Sequence, residues 1–118
     1  MHPQLELLLE IQDLRAQRRA LAQDPLAEME EEVFELSPAE ALRVLDEKIE
    51  ELADRLDGSV SARWKEVSSS LDRAVAPVLN GVCYGCFVAV PTAWSSESDR
   101  NERIHVCDQC GRFLYYLD

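Results

Sequence analysis

Leu7, Ile11, Leu14 and Leu21 recur at the three-and-four spacing that lines up one stripe of a helix, and Leu5, Leu8 and Leu9 widen it. The spacing predicts a helix over residues 3–23, opened by Pro3 and closed by Asp24-Pro25, because proline restricts the residue before it and cannot continue the ladder. A second start is written in Ser37-Pro38-Ala39-Glu40: an N-cap serine, a proline at the first helical position and a glutamate at the third. Leu42, Leu45, Ile49, Leu52 and Leu56 then alternate by three and four, the pattern with which a helix packs on an antiparallel neighbour as a coiled coil. Gly58 interrupts, but Val60, Trp64, Val67 and Leu71 resume the stripe. The helix is therefore expected to bend at the glycine and continue to about residue 74, before Pro77 stops it. Between the long helices, residues 26–36 (LAEMEEEVFEL) read as a short amphipathic helix with Phe34 exposed or facing a partner.

After the turn signal Asn80-Gly81 the helical period disappears. Residues 87–90, 103–106 and 113–116 read as short strands with turn material between them. This part also holds all four cysteines, in two C-x-x-C pairs: Cys83 with Cys86 and Cys107 with Cys110. Each pair can present two sulfurs at adjacent vertices of a tetrahedron, and the intervening chain is long enough for strands that bring the pairs together. The expected result is a zinc ribbon around one structural Zn²⁺, with iron in the same shell or reversible cysteine oxidation as the lesser alternatives. A four-cysteine shell leaves no position for water, so catalysis at the metal is not expected. No βαβ pattern surrounds either pair, which argues against thioredoxin-like chemistry. His105, two residues before Cys107, is superfluous as a fifth ligand and is expected on the surface.

The fold class that follows is mainly α with small β: an antiparallel helical (coiled-coil) hairpin, residues 1–78, followed by a C-terminal four-cysteine zinc ribbon, residues 79–118. The composition agrees, since 47% of residues are apolar but only 7% aromatic. Twenty-three acidic against twelve basic side chains leave a net charge of −11, which repels phosphate backbones and anionic lipid. Most of the excess belongs to the helices. No run approaches the roughly 20 apolar residues of a membrane span, and Met1-His2-Pro3-Gln4 leads into acidic residues rather than a basic leader. The expected location is therefore cytoplasmic, and in that reducing compartment paired cysteines hold metal or do redox chemistry.

The candidate partner surface is the acidic tip near residues 24–37, carrying Glu28, Glu30, Glu31, Glu32, Phe34 and Glu35. Such a run is either a solvated face or a probe offered to a basic cleft. Trp94, in a polar spacer, either packs over the metal core or makes an exposed contact. Arg15, Arg18 and Arg19 are expected to pair across the helical seam with Glu47, Glu50, Glu51 and Asp54. No phosphate loop, histidine–carboxylate constellation or activated nucleophile is present, so an enzyme is the least expected class.

The segments NGVCYGCFVAVP and HVCDQCGRFLYY resemble the C-terminal domain of a bacterial family of C4-type zinc-ribbon proteins preceded by a long helical hairpin. Gly81, Val82, Gly85, Val90, Pro91, Gly111, Arg112, Phe113, Leu114 and Tyr115 stand at the family's pattern positions, and residues 8–21 resemble its opening helix. The resemblance implies a non-enzymatic adaptor or regulator. Its implied partners are the nitrogen-type sigma factor, or secretion and flagellar machinery, with RNA in one branch; RNA polymerase is implied by an architectural similarity to the DksA-type transcription factors. The hairpin is shorter here than in long members. The DksA-type transcription factors are similar in architecture alone, since their paired tip aspartates are not reproduced. A nucleic-acid-binding ribbon using Arg100, Arg103 and Arg112 is the alternative, and the helical stripe is compatible with packing inside one chain or also between two, as a homodimer.

Overall fold

The computed structural model describes residues 1–23 and 37–117. The acidic segment of residues 26–36, with the candidate contacts Glu28, Glu30, Glu31, Glu32, Phe34 and Glu35, lies outside them. Helix α1 spans Pro3–Ala22, with the His2 ring accepting the Gln4 N–H at its start. Helix α2 spans Pro38–Ala53, and its expected cap is in place: the Ser37 hydroxyl accepts the Glu40 N–H at 3.1 Å. The two helices pack antiparallel, with Arg18 paired to Asp46 near one end and Gln4 bonded to the backbone of Arg55 near the other.

The second long helix does not bend at Gly58; it stops. A tight turn over residues 54–57 separates α2 from a third helix, α3 (Gly58–Ser70), in which the glycine is the first residue. The cause is a polar side chain from another helix. Gln4, buried, donates to the Arg55 carbonyl at 3.3 Å and accepts from the Asp57 N–H at 2.7 Å, satisfying backbone groups that the break would otherwise orphan. α3 ends at Ser70, short of the expected residue 74, because Leu71 is already extended.

The chain then enters a strand that the sequence pattern did not announce. β1 (Val75–Leu79) is the middle of a three-stranded sheet in the order β2-β1-β3, with β2 at Val82–Cys83 and β3 at Phe113–Tyr116. β1 and β2 form a hairpin through Asn80 and Gly81, both at positive φ (53° and 74°), the two-residue turn that matches strand twist. β3 runs parallel to β1, with Val75 opposite Phe113 and Val78 opposite Tyr116. Pro77 is tolerated in a central strand because β2 has ended at Cys83 beside it. Its carbonyl accepts the Tyr84 N–H, and no reciprocal bond has to be made.

Residues 87–90 and 103–106, expected as strands, make only single bridges, Val82 to Ala89 and Val106 to Phe113. A four-residue helix, α4 (Thr92–Ser95), and a 3₁₀ turn (Arg100–Glu102) fill the segment between the cysteine pairs. Asn101 ties that segment to β3 by exchanging two hydrogen bonds with the Tyr116 backbone, at 2.7 and 2.8 Å.

A core lies on each face of the sheet. Val75 and Phe113 join Leu5, Leu8, Ile11, Leu52, Leu56 and Val60 on the helical face. Ala76, Val78, Leu114 and Tyr116 point the other way, to Cys83, Cys107 and Val90. Of the expected heptad positions, Leu52 and Leu56 are buried and Ile49 packs against them, while Leu42 and Leu45 are half-buried. Ion pairing across the seam is real but uses other acids than expected. Only Arg18 reaches across it among the described residues, to Asp46; Arg19 meets Asp72 beyond the end of α3, while Arg15 donates to the Ser68 carbonyl and lies over Trp64. Among the described residues, no helix is long and apolar enough to cross a membrane.

Candidate metal centre

Both C-x-x-C pairs are built on one backbone plan. In the first, the Phe87 N–H returns to the Cys83 carbonyl at 2.7 Å and the Cys83 N–H to the Val88 carbonyl at 3.0 Å. In the second, the Gly111 N–H returns to the Cys107 carbonyl at 3.0 Å and the Cys107 N–H to the Arg112 carbonyl at 2.8 Å. Each knuckle is anchored by the sheet: Cys83 ends β2, and the Arg112 carbonyl immediately precedes β3.

These anchors bring Cys83, Cys86, Cys107 and Cys110 together with all four sulfurs within 4.8 Å of one another. Across the knuckles, Cys83 and Cys110 are 3.9 Å apart and Cys86 and Cys107 3.6 Å. These separations exclude disulfides, and all four are free thiols. They match the edge of about 3.8 Å that a tetrahedron with metal–sulfur bonds of about 2.3 Å requires. The cluster is a four-sulfur site able to hold a metal ion, with no vertex left over.

Burial pushes the Cys83 thiol up to about 12 despite the nearby N–H groups of Cys86 and Gly85, and burial also raises Cys86. At Cys110, burial would raise the thiol, but the N–H and guanidinium of Arg112, with Cys107 and Cys86, hold it down to about 7. Burial thus favours the protonated thiol at Cys83 and Cys86, and only a cation that replaces those protons would hold all four as thiolates, the donor chemistry of a soft, tetrahedral metal.

Gly85 and Arg112 explain each other. A Cβ on Gly85 would lie 2.7 Å from the Arg112 Cδ and 3.1 Å from the Ala76 Cβ. Only glycine lets the arginine lie across the first knuckle, where its Nε donates to the Arg73 carbonyl at 2.9 Å. Gly85 itself is not at positive φ; in the knuckles the positive values belong to Gly111 (77°) and to Phe87 (60°). Phe87 escaped attention because it read as the start of a strand. Setting C-x-x-C-Phe beside C-x-x-C-Gly would have exposed the equivalence.

His105 is not a surface residue. Its side chain is 11% exposed and stacks on Trp94 at 4.8 Å, with the Tyr116 ring edge-on at 5.8 Å and Glu97 3.6 Å away. Trp94 itself is half-buried against the sheet core that holds the cysteines. Arg103 pairs with Asp99, and Arg100 lies over the Tyr116 ring and donates to the Glu97 carbonyl, so both are engaged within the chain.

No protein-family model matches the chain, and no functionally curated protein matches it. Two solved structures do. CT398 from Chlamydia trachomatis superposes with a TM-score of 0.55 at 24% identity, over 75% of this chain and 37% of that one. The HP0958 protein from Helicobacter pylori superposes with a TM-score of 0.56 at 21% identity, over 86% of this chain and 41% of that one. The chain thus spans about two-fifths of the length of each, and at these identities the likeness is one of fold.

Proposed function

We propose that this chain is a zinc-ribbon protein with an N-terminal coiled-coil hairpin, acting without catalysis as an adaptor or regulator through protein–protein contacts. One structural Zn²⁺, held by Cys83, Cys86, Cys107 and Cys110, would fix the ribbon. The observation that carries this reading is the closed set of four sulfurs. A tetrahedral four-sulfur shell suits zinc and offers no open vertex for substrate or water. The ribbon then serves as a folded base, and the helices with their acidic connection serve as the reaching part. Resemblance to the C4-type zinc-ribbon family makes a sigma factor, or a secretion or flagellar component, the partner class to test, and the architectural similarity to DksA-type factors adds RNA polymerase. The charge of −11 supports a protein partner over nucleic acid.

Two measurements test this. Elemental analysis should return one zinc per chain, lost when any of the four cysteines is changed to Ser; iron, or no metal in freshly purified protein, would overturn the metal assignment. Capture from the native cytoplasm should retain one of the named assemblies with the zinc-loaded protein and lose it when Glu30, Glu31, Glu32 and Glu35 are changed to Lys. Capture unaffected by those changes would remove the acidic tip from the reading.

A further inference from the structure

The two knuckles share a backbone plan and differ sharply in one side chain. After the last cysteine of the second stands Gly111 at φ 77°; at the same place in the first stands Phe87 at φ 60°. The left-handed region costs glycine nothing and is an outlier for a bulky residue. Phe87 does not recover that cost by packing, since it is 72% exposed. Tyr84 and Val88 beside it are exposed as well, and the Tyr84 and Phe87 rings lie 5.6 Å apart. The fold alone would be served by glycine here, as the second knuckle shows. A strained aromatic held out in water points to a role outside the chain.

The patch adjoins a concentration of positive charge. Tyr84 also lines a cleft of about 490 Å³ whose walls include Arg19, Arg73 and Arg112. In a chain of net charge −11, three arginines around one cleft run against the background. Asp72 occupies Arg19 at 3.7 Å, and Arg112 is committed on one side to the Arg73 carbonyl. Arg73 is exposed and has no ion pair among the described residues. That supply of charge suits one or two carboxylates beside an apolar anchor. It does not suit a polyanionic strand, which would meet the acidic remainder of the protein.

We propose that Tyr84, Phe87 and Val88, with Arg73 and Arg112 in the adjoining cleft, form a docking surface for an acidic segment of a partner protein that carries apolar side chains. The surface rests on the adaptor reading and names a second contact, separate from the acidic tip.

The test is panning of a random dodecapeptide display library on the metal-loaded full chain, followed by anisotropy with the enriched peptides. Enriched sequences should combine Asp or Glu with aliphatic or aromatic residues. Their affinity should fall at least tenfold in Phe87→Gly, Phe87→Asn and Arg73→Glu. Gly and Asn are the residues that tolerate the left-handed backbone, so both Phe87 variants should melt at or above the parent temperature. Enrichment of basic or purely polar peptides, no enrichment, or affinity indifferent to Phe87 would overturn the proposal. So would a lower melting temperature in both Phe87 variants, which would make the ring structural. Binding of a labelled single-stranded RNA 20-mer that depends on Phe87 while no acidic peptide is enriched would reassign the surface to nucleic acid. None of these failures bears on capture through the acidic tip, which is read with the glutamate variant.

Discussion

The Gln4 side-chain oxygen accepts the Asp57 N–H at 2.7 Å across 53 positions of sequence, while its nitrogen holds the Arg55 carbonyl. One amide thus replaces the helical bonds lost between α2 and α3. Gln4→Ala should cost about 1 kcal/mol, because a backbone donor and an acceptor lose their partner at a partly buried corner. Chemical denaturation of the metal-loaded protein checks this, and an unchanged midpoint would show that the break is held by its own turn.

The Arg18–Asp46 pair provides the contrast. Both side chains are 40% or more exposed, so the pair is largely screened by solvent. Asp46→Ala is expected to leave stability nearly unchanged, and any shift should shrink further in high salt.

Cys110, held down to about 7, and Cys83, pushed up to about 12, should differ in reactivity just after the metal is chelated, while the knuckles keep their folded contacts. With iodoacetamide at pH 7.5, mass spectrometry should find Cys110 modified first and Cys83 last. Gly85→Ala, which displaces Arg112 from the knuckle, should shrink the lead of Cys110 and destabilise the fold by roughly 1–3 kcal/mol. Equal rates at all four thiols in the parent would refute the ordering.

Tyr116 gives an alkaline signature. Burial, aided by the Glu97 carboxylate and opposed by Arg100, pushes its phenol up to about 12, against about 10 in an unfolded chain. The folded state holds this proton more tightly, so the contribution is complete below pH 10 and disappears as pH rises toward 12. The loss should be on the order of 2 kcal/mol. Tyr116→Phe should abolish this part of the alkaline loss at little cost near neutral pH, because the buried hydroxyl has no hydrogen-bond partner among the described residues. Melting curves between pH 8 and 11.5 decide it.

What could be read from the sequence was local. Both long-helix starts, the Asn80-Gly81 turn, the strand at residues 113–116 and the meeting of the four cysteines follow from short-range spacing and chemistry. What escaped was set at a distance. The break at residues 54–57 depends on Gln4, and β1 exists because β3, nearly 40 residues later, returns parallel to it across Pro77. His105 looked like a surface residue until Trp94 and Tyr116 closed on it from two other elements. In the knuckle, the strand-like run Phe87-Val88-Ala89-Val90 concealed a residue whose backbone had turned left-handed.

The sheet is a partition wall with a tenant on either side. Val75 and Phe113 are fastened to the helices, and the residues next to them, Ala76 and Leu114, to the sulfur cluster. A strand cannot relax on one face and stay firm on the other, so a change in metal occupancy should be transmitted to the helices through the shared backbone of β1 and β3. Far from the sulfurs, the order of α1 and α2 would then serve as a gauge of whether the ion is in place.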